Sequence, residues 1–168
     1  LADLAMPNAQ LEIRVGRDDH DHPGDHVEFL LAANPGAPPL PLAKVASGGE
    51  LARVMLALRL VLSIDGDEPP GTLVFDEVDA GIGGAAAQSV AEALRALADH
   101  HQVLVVTHLA QVAAVADHQV GVAKRIEHGH TFATAGELDA ESRVEEIARM
   151  LSGTASESAR SHARELLS

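Results

Sequence analysis

The chain of 168 residues has no cysteine, no tryptophan and no tyrosine. Without cysteine there can be no disulfide and no thiol chemistry, which fits a reducing cytoplasm. Aromatics make up 2% of the residues, so the core must be built from Leu, Val, Ile and Ala, and stacking on nucleic-acid bases has little to work with. Cations are scarce: 12 Lys and Arg stand against 25 Asp and Glu, for a formal charge of −13, so the chain offers DNA no broad basic face. No apolar run reaches the ~18 residues of a spanning helix and no signal peptide is visible, so a soluble protein, not exported by that route, is expected. The phosphate-cradling loop G-x-x-x-x-G-K-S/T is also absent. The chain begins at Leu1 rather than Met, which suggests a segment of a longer protein.

The residues present suffice for one domain with a core, since 46% are apolar, too many for a disordered chain. Gln10 to Gly16 alternates, with Leu11, Ile13 and Val15 inward, and predicts a strand. His26 to Ala33 predicts its hairpin partner across the polar loop Arg17 to Asp25, and Asn34 to Pro41 a surface connection. Gly48 to Ser63 is the clearest helix, with Leu51, Val54, Met55, Leu58 and Leu62 as one apolar stripe; Gly66 to Gly71 breaks it. Thr72 to Phe75 is a continuous apolar run of the kind buried on both faces in a parallel sheet. After the turn Gly81 to Gly84 come a helix over Ala85 to Asp99, carrying Val90, Ala93, Leu94 and Leu97 on one face, and a second apolar strand, Gln102 to Val106. That order predicts a right-handed β-α-β crossover and so a parallel sheet. A short helix over Leu109 to Ala116, strands over His118 to Lys124 and Thr131 to Ala135 with Gly129 in the turn, and helices over Glu141 to Leu151 and Glu157 to Leu167 complete the chain. No boundary divides it, so residues 1–168 are expected to form a single lobe of α/β class, with the hairpin added to a parallel sheet flanked by helices.

Four groups of residues carry chemistry. Ser47 and Glu50 form a capping box, in which the Ser47 oxygen accepts from the amide at position 50 and Glu50 reaches back. A cap needs no ligand. Gly48 and Gly49, however, each cost a helix about 1 kcal/mol relative to Ala, and what they allow is close backbone approach by an anion such as phosphate to the positive helix end. Asp76 and Glu77 emerge where the buried strand ends, the edge at which such sheets bind ligands. Asp76 is a hard oxygen ligand suited to Mg²⁺, and Glu77, pointing differently, can serve as general base on water; the plain alternative is a solvated turn. Asp79-Ala80-Gly81 continues from that pair as a helix-entry loop. Thr107-His108 ends the second strand, where His108 could donate to a terminal phosphate oxygen, or Thr107 simply cap the next helix. The cluster Asp18, Asp19, His20, Asp21, His22, Asp25 and His26 has metal-ligand residue types but no ligand spacing, and reads as a solvated loop. Lys44, Arg53 and Arg59 read as a solvated face around the Gly48 helix.

The order S-G-G-E, apolar strand with Asp-Glu, Asp-Ala-Gly, then strand with Thr-His resembles the C-terminal part of an ABC-type ATPase head. In that likeness Ser47 to Leu51 match the signature motif, Thr72 to Glu77 the Walker B strand, Asp79 the D-loop and His108 the switch histidine. Longer runs, Pro41 to Leu51, Phe75 to Gly84, Gln102 to Ala113 and Arg143 to Leu151, resemble the RecN family of SMC-like ATPases in bacterial double-strand break repair, with Ala46 in place of the usual signature Leu. The likeness runs from about residue 10 to near the end. It implies that the phosphate loop and glutamine loop lie in an N-terminal head segment, that a coiled coil separates the two segments, and that the start of this chain, residues 1–9, leads out of that coiled coil.

The resemblance implies an ATP-binding and hydrolysing head with Mg²⁺. In it Ser47, Gly48, Gly49, Glu50 and Asp79 contact nucleotide, Asp76 holds the metal, and Glu77 and His108 are catalytic. Its implied partners are the lobe carrying the phosphate loop and a second head, a homodimer closed over ATP, with DNA bound through the full-length protein rather than this acidic lobe. Localisation is expected in the cytoplasm at the nucleoid, with no membrane. Hydrolysis is expected only when the phosphate-loop segment is supplied. The rival reading is a non-catalytic lobe that only pairs with the N-terminal one.

Overall fold

The computed structural model describes residues 1–16, 26–44, 47–63, 71–127 and 130–168. The polar hairpin loop with its Asp/His cluster up to Asp25, the helix break before Gly71, Ala46 and Gly129 lie outside the described residues. The chain forms two compact units, Leu1–Val106 and Thr107–Ser168.

In the first unit β1 (Gln10–Gly16) pairs antiparallel with β2 (His26–Ala32), Leu11 opposite Leu31 and Val15 opposite Val27. The expected connection after β2 contributes a short third strand, β3 (Leu40–Pro41), on the far edge of β2. The predicted inward face of β1 is covered only at one end. Leu11 is half-buried beside Met6, Leu31 and Val54, while Ile13 and Val15 are 54% and 66% exposed, because the hairpin runs past the core that covers it. Leu1 to Met6, expected as a coiled-coil exit, holds a single 3-10 turn over Ala2–Leu4, with Leu4 and Met6 buried.

Helix α1 (Gly48–Ser63) has the bounds its sequence predicts. Its buried face differs from the predicted stripe: Gly49, Arg53, Val54 and Leu56 are buried, whereas Met55 and Leu62 are 41% and 53% exposed. β4 (Thr72–Phe75), α2 (Ala85–Ala98) and β5 (Gln102–Val105) give the expected parallel pair, Leu73 beside Val103 and Phe75 beside Val105, prolonged by the Val106 amide donating to the Phe75 carbonyl at 2.9 Å. Val90, Leu94 and Leu97 bury the inner face of α2. Burial on both faces does not hold for these strands. Phe75 faces inward at 7% exposure, but Val74, Leu104 and Val106 stand outward at 67%, 50% and 62%. The run is apolar throughout, yet only one face is covered within the unit.

In the second unit α3 (Ala110–Ala114), α4 (Ala140–Ser152) and α5 (Glu157–Leu166) pack small residues around Ile147, which is wholly buried with Ala148 and Ala163. Asp139 caps α4 by accepting from the Ser142 amide at 2.8 Å, and Ser156 caps α5 by accepting from Ala159. Arg160 joins Glu145 at 2.6 Å and ties α5 to α4. Arg143 donates to the carbonyls of Ala113, Ala114 and Ala116, satisfying the end of α3. β6 (Val120–Glu127) and β7 (His130–Glu137) form an antiparallel hairpin; β6 starts two residues and ends three residues later than predicted, and β7 is longer at both ends. Among the described residues no helix is long and apolar enough to cross a membrane.

Candidate functional site

Of the predicted site residues of the first unit, Glu77 reaches the N-terminal end of α1, where Ser47, Gly48, Gly49 and Glu50 lie. Ser47 starts the helix: its hydroxyl accepts from the Glu50 amide at 3.4 Å and its carbonyl from the Leu51 amide at 3.1 Å. This is the expected first half of the capping box. Gly48 is exposed and Gly49 buried, and both positions are crowded from outside the helix. A Cβ on Gly48 would stand 2.8 Å from Glu77 Oε2. One on Gly49 would stand 3.0 Å from the Ala80 Cβ and carbonyl oxygen and 3.1 Å from Arg53 Nη1. The glycine pair is therefore where the helix end meets the segment after β4, Gly48 against the Glu77 carboxylate and Gly49 against Ala80.

That segment is a tight turn. The Ala80 amide donates to the Glu77 carbonyl at 3.0 Å and the Ile82 amide to the Asp79 carbonyl at 3.4 Å. Glu77 adopts a left-handed backbone, φ +57°, which is uncommon outside glycine, and its exposed side chain reaches the start of α1 at Gly48. Asp76 is exposed where β4 ends. Asp79 is 2% exposed, so its side chain belongs to the interior of the turn.

Arg53 is the residue that sequence reasoning misplaced. Expected on a solvated face, it is 5% exposed and donates through Nη1 to the carbonyls of Val78, at 3.3 Å, and Ala80, at 3.0 Å. Burial pulls its guanidinium below the ordinary value, with the charge of Glu50 opposing. Arg53 lies with Gly49 and Leu56 on one buried arc of α1, outside the predicted stripe of Leu51, Val54, Met55, Leu58 and Leu62. Arg59 lines an open, mainly apolar groove with Leu51 and Met55 of α1 and Leu73, Val74 and Phe75 of β4.

His108 belongs to the second unit, where it is exposed. Thr107 does accept locally, from the Leu109 amide at 3.0 Å, but the residue at the helix boundary is Leu109. Among the described residues no group of three or more His, Cys, Asp or Glu could hold a metal; Asp76 supplies one carboxylate of a type Mg²⁺ accepts.

The chain is similar to known proteins over most of its length. Residues 25–131 match the family described as RecF/RecN/SMC N terminal domain. The chain is 52% identical, over 99% of its length, to a DNA repair protein RecN of Deinococcus radiodurans and 55% identical, over 85%, to one of Treponema pallidum. It spans 29% and 25% of those two proteins, under a third of either. In fold it is similar to the Smc head domain of Pyrococcus yayanosii solved with a coiled coil and joint, at TM-score 0.59 and 22% identity, covering 90% of this chain and 27% of that one.

Proposed function

Because the chain belongs to the RecF/RecN/SMC family, with the fold of an SMC ATPase head, we propose that it is the C-terminal part of an ATP-hydrolysing head in an SMC-like protein of DNA double-strand break repair. The observation that carries the reading is the meeting of Gly48 and Gly49 with Glu77 and Ala80, which joins three separately recognised motifs at one helix end. An exposed helix start without side chains is a ready site for a phosphate.

In this reading two heads close over two ATP molecules. Ser47, Gly48, Gly49 and Glu50 present the end of α1 to the γ-phosphate held by the opposite head. Glu77 accepts a proton from the attacking water, and Asp79 shapes the loop that carries Glu77. His108 donates to the terminal phosphate. Mg²⁺, when bound, would neutralise charge developing on the phosphate oxygens; Asp76 would contribute one ligand, with phosphate and water completing the shell. ATP favours closed heads because it binds them better than separated ones, and hydrolysis releases them. The place of action is the cytoplasm, at the nucleoid, with DNA engaged through the full-length protein.

The phosphate loop would come from the N-terminal head segment. Val74, Leu104 and Val106, exposed on one side of the β4–β5 pair, support a partner surface there. The same residues favour the second reading, a lobe that only pairs. The test is ATP hydrolysis by this chain alone and mixed with a phosphate-loop segment, each with a Glu77→Gln control. Turnover in the mixture only, lost in the mutant, establishes a complemented half-site. Stable association without turnover leaves the pairing lobe.

A further inference from the structure

Three polar or charged side chains are buried among the described residues, Arg53, Asp79 and His101, and the first two belong to one small assembly. Arg53 emerges from α1 a little over one turn after the glycine pair and reaches sideways to the turn that follows Glu77. Its Nη1 serves the carbonyls on either side of Asp79, those of Val78 and Ala80. The same nitrogen lies 3.1 Å from where a Cβ on Gly49 would stand, so the guanidinium fills the space that the missing side chain leaves. Its Nε is buried without a hydrogen-bond partner among the described residues, so the side chain is held there by the Nη1 contacts rather than by a saturated set. Its neighbours in sequence and in the loop, Val54, Leu56 and Val78, are buried and apolar, so the position tolerates an apolar side chain. A buried cation is costly to desolvate, and here the loop carbonyls and the charge of Glu50 offset part of that cost.

We propose that Arg53 is a positioning residue, which clamps the Val78–Ala80 loop to the phosphate-facing end of α1 and so fixes where Glu77 stands relative to Gly48 and Gly49. This rests on the ATPase reading above. Arg53 is 5% exposed and its described bonds go to the loop carbonyls, so its role is one of position rather than contact with nucleotide. It acts through the loop, coupling the element that meets the γ-phosphate of one head to the element that carries the base of its own. Loading of ATP on the phosphate loop does not pass through it, whereas the rate of the chemical step does.

The test uses Arg53→Met, which keeps the length and removes the donors, and Arg53→Lys, whose ammonium can reach both carbonyls. Amide hydrogen exchange on the chain itself reads the loop. Arg53→Met is expected to speed exchange at Ala80 and Ile82 roughly tenfold or more while α4 and α5 keep their protection. Turnover in the complemented head reads the chemistry: kcat falls roughly tenfold or more with KM for ATP within about twofold, and Arg53→Lys stays within about threefold of the parent. Unchanged exchange in Arg53→Met, unchanged kcat, or a rise in KM that matches the loss in kcat overturns the proposal. Should Arg53→Met lose its helical signal, Arg53→Lys decides: retained Ala80 protection and kcat support it, and a roughly tenfold loss of kcat in a folded chain overturns it. Parent turnover that survives Glu77→Gln, or that never arises on mixing, defeats the ATPase reading instead, and with it the coupling; the exchange measurement still shows whether Arg53 holds the loop.

Discussion

Replacing Gly48 and Gly49 one at a time by alanine is expected to move stability in opposite directions while lowering turnover in both cases. Neither glycine lies in the left-handed region, so alanine is permitted by the backbone, and each substitution gains up to about 1 kcal/mol of helix preference. The difference lies in what the new methyl meets. At position 48 it stands 2.8 Å from Glu77 Oε2, against 3.4 Å or more for an ordinary contact, so the carboxylate must retreat by about 0.6 Å. Glu77 is exposed and its side chain flexible, so the retreat costs little stability. Gly48→Ala should therefore hold or raise Tm, by up to about 2–4 °C for a chain of this size. A base misplaced by about 1 Å can cost on the order of a hundredfold, so the shorter retreat predicts a loss nearer tenfold in kcat. At position 49 the methyl meets the Ala80 carbonyl and Cβ at 3.0 Å, which are backbone-fixed, and overpacking of that kind costs about 1–3 kcal/mol, more than the helix gain returns. Gly49→Ala should lower Tm. Thermal unfolding by circular dichroism and ATP turnover of the complemented head read the two effects. A Tm for Gly48→Ala as low as that for Gly49→Ala, or full kcat in Gly48→Ala, would refute the reasoning.

Four further outcomes are expected. Glu77→Gln should abolish turnover while ATP-bound head dimers persist in size-exclusion chromatography; ordinary turnover would remove Glu77 from the role of base. Val74→Asp with Leu104→Asp, both on an already exposed face, should leave the unfolding temperature of the chain within a few degrees yet eliminate association with the phosphate-loop segment, read by pull-down. Ile147→Ala, at a fully buried position among alanines with little room to close the gap, should cost about 2–5 kcal/mol by denaturant titration of the second unit. Asp139 has its carboxyl held below the ordinary range, chiefly by the Ser142 amide. Its contribution is thus present above the ordinary carboxylate range and lost as pH falls through its lowered value, so parent and Asp139→Asn should converge in stability on acidification; a gap independent of pH would exclude the charge as its source.

Periodicity and turn residues made most elements legible. α1, β4 and the order strand, helix, strand follow from apolar spacing bounded by Gly, and the parallel pairing from that order. The burial of those elements was less legible. An apolar run marks the residues that avoid water in the assembled protein, and Val74, Leu104, Met55 and Leu62 have that character while remaining exposed within the unit. The same holds for Ile13 and Val15, whose alternation is correct for a strand although nothing described covers them. Arg53 escaped for the opposite reason. A cation in a helix reads as solvated unless its partners are known, and its partners are carbonyls 25 and 27 positions away, which carry no sequence signature. The proximity of Gly48 to Glu77 was equally invisible, since both motifs were recognisable but no local rule sets the distance between them.

The pairing-lobe reading and the ATPase reading share the open β4–β5 face, so that face cannot separate them. The end of α1 can. A lobe that only pairs needs apolar area and a stable helix, and two glycines in the first turn weaken the helix by about 1 kcal/mol each relative to Ala. It also has no use for a glutamate in the left-handed region, which costs roughly 1–3 kcal/mol more than a glycine would there. Nor does it gain from burying a guanidinium against two loop carbonyls beside an apolar core that would take a methionine. All three costs fall within one small region and act on the same distance, that between the bare helix end and the Glu77 carboxylate. Strain concentrated on a single approach is the expected arrangement when the element that meets the opposite head's phosphate and the element that carries its own head's base must be held in a set relation. Relieving it should therefore produce a chain that is more stable and still pairs, but no longer turns over ATP. Glu77→Gly is the direct probe, since it removes the backbone strain and the base together: a higher Tm, undiminished association with the phosphate-loop segment and no hydrolysis would fit the ATPase reading, whereas a lower Tm would mean that the left-handed turn at Glu77 is not a source of strain.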